Sequence, residues 1–127
     1  MEKRNLIIYW TATVLMSVGM LGSGISQVLQ VKAMADILTH LGYPVYFMTI
    51  IGVWKVLGVI VILLPGFKLI KEWAYAGLFF TMTGALVSHL IIGDGGKAIV
   101  GPLFQTVFII LSWYYRPVSR KIALTVL

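Results

Sequence analysis

One lysine, Lys55, stands near the centre of an apolar run that extends from Val45 to Leu64. At a helical rise of ~1.5 Å per residue it lies about 15 Å from either end of that run, farther than a lysine stem comfortably snorkels. Leaving its charge in hydrocarbon costs from about 2.5 to above 10 kcal/mol, depending on the scale used. The side chain must therefore face protein. Gly52 and Gly58 lie three residues to either side of it on the same helical face, which suits a close, protein-lined environment. Two roles are open: a structural lysine satisfied by carbonyls and hydroxyls, or a ligand-binding or proton-handling group. At similar depth in the other apolar runs lie Ser17, Thr81, Thr83, Gln105 and Thr106, and no carboxylate occurs within any run. A buried ion pair is thus excluded, which favours a neutral lysine or an anionic or carbonyl-bearing ligand. Gln105 is the expected polar partner, because a buried amide costs free energy unless it is bonded. Thr81 is the expected hydroxyl.

A second polar group gathers near the ends of the runs: His89, Ser88, Gln27 and Ser26, with Asp94 beyond them and Asp36 and His40 in the first connection. Two histidines and two aspartates raise the question of a metal, and Asp36 and His40 are spaced i, i+4 on one helix face. No compact two-histidine motif is present, however, so these four are weak ligand candidates and no metal is assigned. His89 reads better as a helix-end histidine bonded across a bundle, or as the lining of an outward-facing cavity. No catalytic motif is evident. The chain has no cysteine, so disulfides, thiolate metal sites and dithiol redox chemistry are excluded.

The elements that position these residues follow from composition. Of 127 residues 60% are hydrophobic and 11% charged, where an ordinary soluble domain carries about 25% charged residues. Mean hydropathy is +0.98. A soluble core of this size cannot hide so much apolar surface, so the lipid bilayer serves as solvent. Four spans are expected, at about 6–29, 45–64, 73–92 and 99–115, each near the ~20 helical residues that a bilayer core requires. The first is too long for the ~7–15-residue core of a signal peptide and is expected to be retained. Residues 30–41 form a short amphipathic segment, with Val31, Met34, Ala35, Leu38 and Leu41 opposite Lys32, Asp36 and His40, expected to lie in the interface. Gly42-Tyr43-Pro44, Pro65-Gly66 and Gly93-Asp94-Gly95-Gly96-Lys97 punctuate the chain. Lys68 and Lys71 are placed in a short loop, Glu72 at a helix N-terminus, and Pro102 in the first turn of the fourth span.

The net charge of +6 is explained by topology. Lys3, Arg4, Lys68, Lys71, Arg116, Arg120 and Lys121 fall on one side of the membrane and only Lys32 and Lys97 on the other, which puts both termini in the cytoplasm. Trp10, Trp73, Trp113, Tyr9, Tyr75, Tyr114 and Tyr115 fall on the same inner side, as an aromatic belt would. No basic run with interleaved aromatics offers a surface to nucleic acid. In the third span Ala74, Gly77, Thr81, Gly84 and Ser88 form a continuous small-residue seam, expected to make the tightest helix–helix contact. The first span has a shorter version in Ala12, Gly19, Ser23 and Ser26. No internal repeat suggests a miniature inverted-repeat transporter.

These residues resemble those of the DoxX-like family of small four-helix membrane proteins, over nearly the whole chain. The similarity is carried by Gly42-Tyr43-Pro44, Lys55 with Gly58, Pro65-Gly66, Lys71 through Gly77, Gly84-Ala85, Ser88-His89, Gly93-Asp94 and Arg116-Pro117. The resemblance implies a four-helix bundle in the bacterial cytoplasmic (inner) membrane. Wider relatives include small subunits of quinone-linked sulfur oxidoreductases, thiol-redox membrane proteins, and eukaryotic membrane chaperones or cargo receptors. Redox relatives use cysteines, which this chain lacks, and Thr81 stands where relatives often carry an aspartate suited to pairing with the lysine. The expected architecture is therefore an all-α four-helix transmembrane bundle. The expected function is a binding module or accessory subunit that holds a lipophilic, quinone-like or lipidic ligand near Lys55, Gln105, Thr81 and His89. The alternatives are the membrane subunit of a quinone-linked oxidoreductase whose redox centre lies on a partner protein, and a small exporter or channel working as a homo-oligomer.

Overall fold

The computed structural model describes residues 2–122 and is helical throughout its ordered elements. Four long helices, α1 (Lys3–Val28), α3 (Val45–Leu63), α4 (Lys68–Ile92) and α5 (Gly96–Tyr114), are each long and apolar enough to cross a bilayer. A fifth, α2 (Lys32–His40), joins α1 to α3 and is far too short to cross. A single 3₁₀ turn, Val118–Arg120, follows α5. The protein is a multi-pass membrane protein. Its long helices pack in a ring, α1 against α3, α3 against α4, α4 against α5 and α5 back against α1, with the α1–α3 contact the most extensive and α3–α4 the slightest. The ring closes on a core of Met16, Met20, Val59, Ile62, Tyr75, Leu78, Met82 and Ile109.

Helix ends follow the local sequence. The α4 helix stops where Gly93 takes a left-handed conformation at φ +87°, which lets the Asp94 N–H reach back to the His89 carbonyl at 2.9 Å. Gly42, at φ +90°, ends α2 in the same way, with the Tyr43 N–H on the Leu38 carbonyl. At the end of α1 this conformation falls to a non-glycine residue, Gln30, at φ +54°.

Several expected boundaries shift. The fourth expected span begins three residues earlier, at Gly96, so Pro102 sits inside the helix rather than in its first turn. The third expected span begins at Lys68, so Lys68 and Lys71 belong to α4 and Glu72 lies beyond its first turn. The cause is tertiary. Buried Lys71 donates from Nζ to the carbonyls of Val61 and Leu64 at the end of α3, and Arg120 donates to the carbonyls of Ile62, Leu63 and Leu64. Two cations thus satisfy the orphan carbonyls at the negative end of a helix dipole. Glu72 in turn pairs with Arg116 at 2.7 Å and accepts from the Trp113 indole at 3.0 Å.

The aromatic belt is smaller than expected. Trp10, Trp73, Trp113 and Tyr114 are exposed at the end of the bundle that carries the described ends of the chain, whereas Tyr9 and Tyr75 are buried. The Tyr75 hydroxyl lies 2.8 Å from the Ser112 hydroxyl, and Ser112 lies 2.6 Å from that of Thr13. Tyr75 therefore serves a buried hydroxyl network, since a phenol enclosed among helices needs a hydrogen-bond partner.

Candidate functional site

Lys55 sits on the third turn of α3 and is 4% exposed. Its ammonium donates to the Ser23 hydroxyl on α1 at 3.2 Å. The path to Ser23 exists because α1 and α3 approach through glycines. A Cβ added to Gly52 would stand 2.6 Å from the Gly24 carbonyl oxygen, and one added to Gly24 would stand 3.0 Å from the Lys55 Cβ. Backbones so close leave the lysine stem pressed against α1 and its amine on the adjoining hydroxyl. One turn along α1, Gln27 is also buried, and its Oε1 has no hydrogen-bond partner.

The Lys55 side chain also borders open space. A groove of about 570 Å³ between α3 and α4 is lined by Trp54, Lys55, Gly58, Ala74, Gly77 and Thr81, among others. A second, of about 420 Å³, extends toward α2 and is lined by Gln27, Leu38, Tyr43, Lys55, Thr81 and Gly84, among others. Lys55, Trp54, Gly77 and Thr81 border both. Lys55, Thr81, Gln27, Tyr43 and Trp54 supply the polar groups, and the rest of the walls is apolar, a lining suited to a hydrocarbon tail.

This overturns the expected role of the α4 seam. Nothing lies within 4 Å of a Cβ added at Gly77 or Gly84. The small residues of α4 make a gap beside α3, and the close helix contact is made by Gly24 and Gly52 instead. Polar side chains tie α4 at its ends, Lys71 to the end of α3 and Ser88 to Tyr43, where the two hydroxyls lie 2.7 Å apart, and the grooves lie between these ties.

The remaining expected site residues are distributed as follows. Thr81 reaches the grooves, although its hydroxyl donates to the Gly77 carbonyl of its own helix at 2.7 Å. Gln105 is not the partner of Lys55, because α5 stands diagonally across the ring from α3. Its amide lies against Gly19 of α1, where an added Cβ would stand 1.9 Å from Nε2, and its Oε1 is buried without a partner. Ser17 Oγ is buried without a partner as well, while Thr83 and Thr106 donate to carbonyls of their own helices. In the sequence Ser23 stands only among the small residues of the first span. The signal that points to it is its spacing of four from Gln27, which places both on one face of α1.

His89, His40 and Asp94 come together away from the grooves' amine. The buried His89 presents Nδ1 to Asp94 Oδ2 and His40 presents Nε2 to Asp94 Oδ1, both at 2.7 Å. A carboxylate only accepts, so each ring donates an N–H to it. The two bonds, from His89 first and His40 second, hold the Asp94 carboxyl below the usual carboxylate range. Asp36 is exposed and stands apart from this group. Among the described residues no three His, Cys, Asp or Glu side chains converge on a point that could hold a metal; here both carboxylate oxygens are engaged by the rings.

A family model described as the DoxX-like family matches residues 11–114. The chain belongs to the DoxX-like family. No curated protein and no solved structure matches it. The match covers Lys55, both grooves and the His40–Asp94–His89 bridge, so all of these lie within the part of the chain that the DoxX-like model describes.

Proposed function

We propose that the protein is a membrane binding module, or the membrane subunit of a larger assembly, that holds a lipophilic ligand between α3 and α4 with the ligand's polar head at Lys55. The observation that carries this reading is a buried ammonium with one protein acceptor, Ser23, on the border of two apolar grooves. An ammonium has three donors, and in hydrocarbon an unmade hydrogen bond to a charged group is costly. A carbonyl or anionic oxygen on a ligand head supplies the missing acceptor, and an apolar tail fills the groove beside Gly77 and Gly84. Quinone-like molecules and lipids share this chemistry. The bundle belongs in the bacterial cytoplasmic membrane with both termini in the cytoplasm, as the basic residues clustered at that end support.

Lys55→Met tests the reading, since it keeps the apolar stem and removes the amine. Native mass spectrometry of protein extracted in mild detergent should show a bound lipophile on the parent and its loss from the variant, with the variant as stable as the parent or slightly more so. A variant that folds and retains the same bound species overturns the assignment, and a variant that fails to insert makes the amine structural.

A further inference from the structure

The segment between α1 and α3 is built differently from the other connections. It contains a helix, α2, with a left-handed residue near each end: Gln30 at φ +54° before it and Gly42 at φ +90° after it. Each marks a sharp turn of the chain between helices. The helix packs against α1 and α3, yet Leu38, Leu41 and Tyr43 form one end of the smaller groove, whose far wall is α4. Across that gap the connection to α4 is made by side chains. His40 reaches Asp94 in the α4–α5 turn, and Tyr43 reaches Ser88. Asp94 is itself anchored by His89, so the carboxylate is a fixed post with one face turned to α2. Since α2 joins the ends of two spanning helices, it lies at the water-facing end of the groove.

We propose that α2 is a lid over the water-facing end of the α3–α4 groove, latched by the Asp94 carboxylate shared between His40 and His89 and by the Tyr43–Ser88 bond. The groove's side is open toward lipid between α3 and α4, and the latch decides whether its end is open to water. A lipophile entering sideways is thereby held from water until the lid lifts. Breaking the latch lets polar reagents in from the α2 end. This role rests on the groove being the ligand site proposed above, but the latch can be examined with no ligand present.

The absence of cysteine makes the test clean. Ala85 lines the smaller groove and lies one turn from Ser88 and His89. In Ala85→Cys, placed in lipid nanodiscs that expose both faces, the rate of alkylation by a membrane-impermeant sulfonated maleimide reports the open population of the lid. Adding Asp94→Ala or His40→Ala should raise the rate by at least about tenfold, because protection of a covered thiol tracks local opening. His40→Gln, whose amide can still donate to Asp94, should label like the parent. A matched Met16→Cys series reports the fully buried core and should stay unreactive in every background. Equal rates at position 85 with and without the latch overturn the proposal. So does a rise at position 16 in step with that at 85, which would mean a loosened bundle. Failure of the Lys55→Met test with a positive result here leaves a lid over a groove with a different occupant, so the two readings fail separately.

Discussion

Glycines line both flanks of α3, and they do opposite things. Toward α1, Gly52 and Gly24 bring two backbones so close that an added methyl would stand 2.6 Å from a carbonyl oxygen. Toward α4, Gly77 and Gly84 face open space and leave grooves beside Lys55. The same residue type at helical spacing thus makes the tightest contact in one place and a gap in the other. In lipid, close packing is the main force between helices, so the α1–α3 flank is the tightest joint of a core to which all four long helices contribute. The α3–α4 flank is tied at its ends by polar side chains and packs through Leu78 against Gly58, and the grooves open beside that contact, where the buried amine is. A stable scaffold and a binding groove share one helix because its two faces are used separately.

That contrast breaks most sharply at Gly52. Gly52→Leu should cost about 3 kcal/mol or more, at the upper end of overpacking effects, because the obstacle is backbone and cannot rotate away. Thermal melting in detergent measures it, and a melting temperature unchanged from the parent would mean that the α1–α3 approach is looser than described. Next in size is Lys71→Met, which removes the amine from the Val61 and Leu64 carbonyls. Bonds from charged donors contribute about 1.5–3 kcal/mol, so a loss of this order is expected. Faster amide exchange at the end of α3 should accompany it, and exchange unaltered there would show that Arg120 alone suffices. The smallest effect has the opposite sign. Gly84→Ala meets nothing within 4 Å and replaces a poor helix former with a good one, so stability should rise by about 0.5–1 kcal/mol. A drop in melting temperature would place a packed surface where the groove is described.

Much of the fold was legible along the chain, for a simple reason. Lipid demands long apolar helices with every backbone group paired internally, so the long apolar runs map onto α1, α3, α4 and α5, with the starts of α4 and α5 a few residues earlier than the runs themselves. Turn chemistry at Gly42 and Gly93 was legible because only a residue tolerant of left-handed backbone ends a helix that way. Lys55 was legible as a protein-facing group from its depth alone. Its partner was not. Ser17, Thr81, Gln105 and Ser23 all lie deep enough, and depth says nothing about which helix stands beside which. Only the ring order, with α5 diagonal to α3, sends the amine to Ser23 and leaves Gln105 over Gly19.

The same limit explains Tyr9 and Tyr75, which share a level with the exposed tryptophans but turn inward, and Lys71, which reads as a loop cation until the end of α3 is seen to need it. It also explains the seam on α4. Small side chains permit close approach without compelling it, and whether a neighbour fills the space depends on where the helix ends are tied. The amino-acid sequence by itself determined the solvent, the number of spans, the turns and the depth of the buried amine, because these follow from transfer free energy and local backbone sterics. The tertiary structure alone decided which faces meet, because lateral contacts between helices depend on residues far apart in the chain.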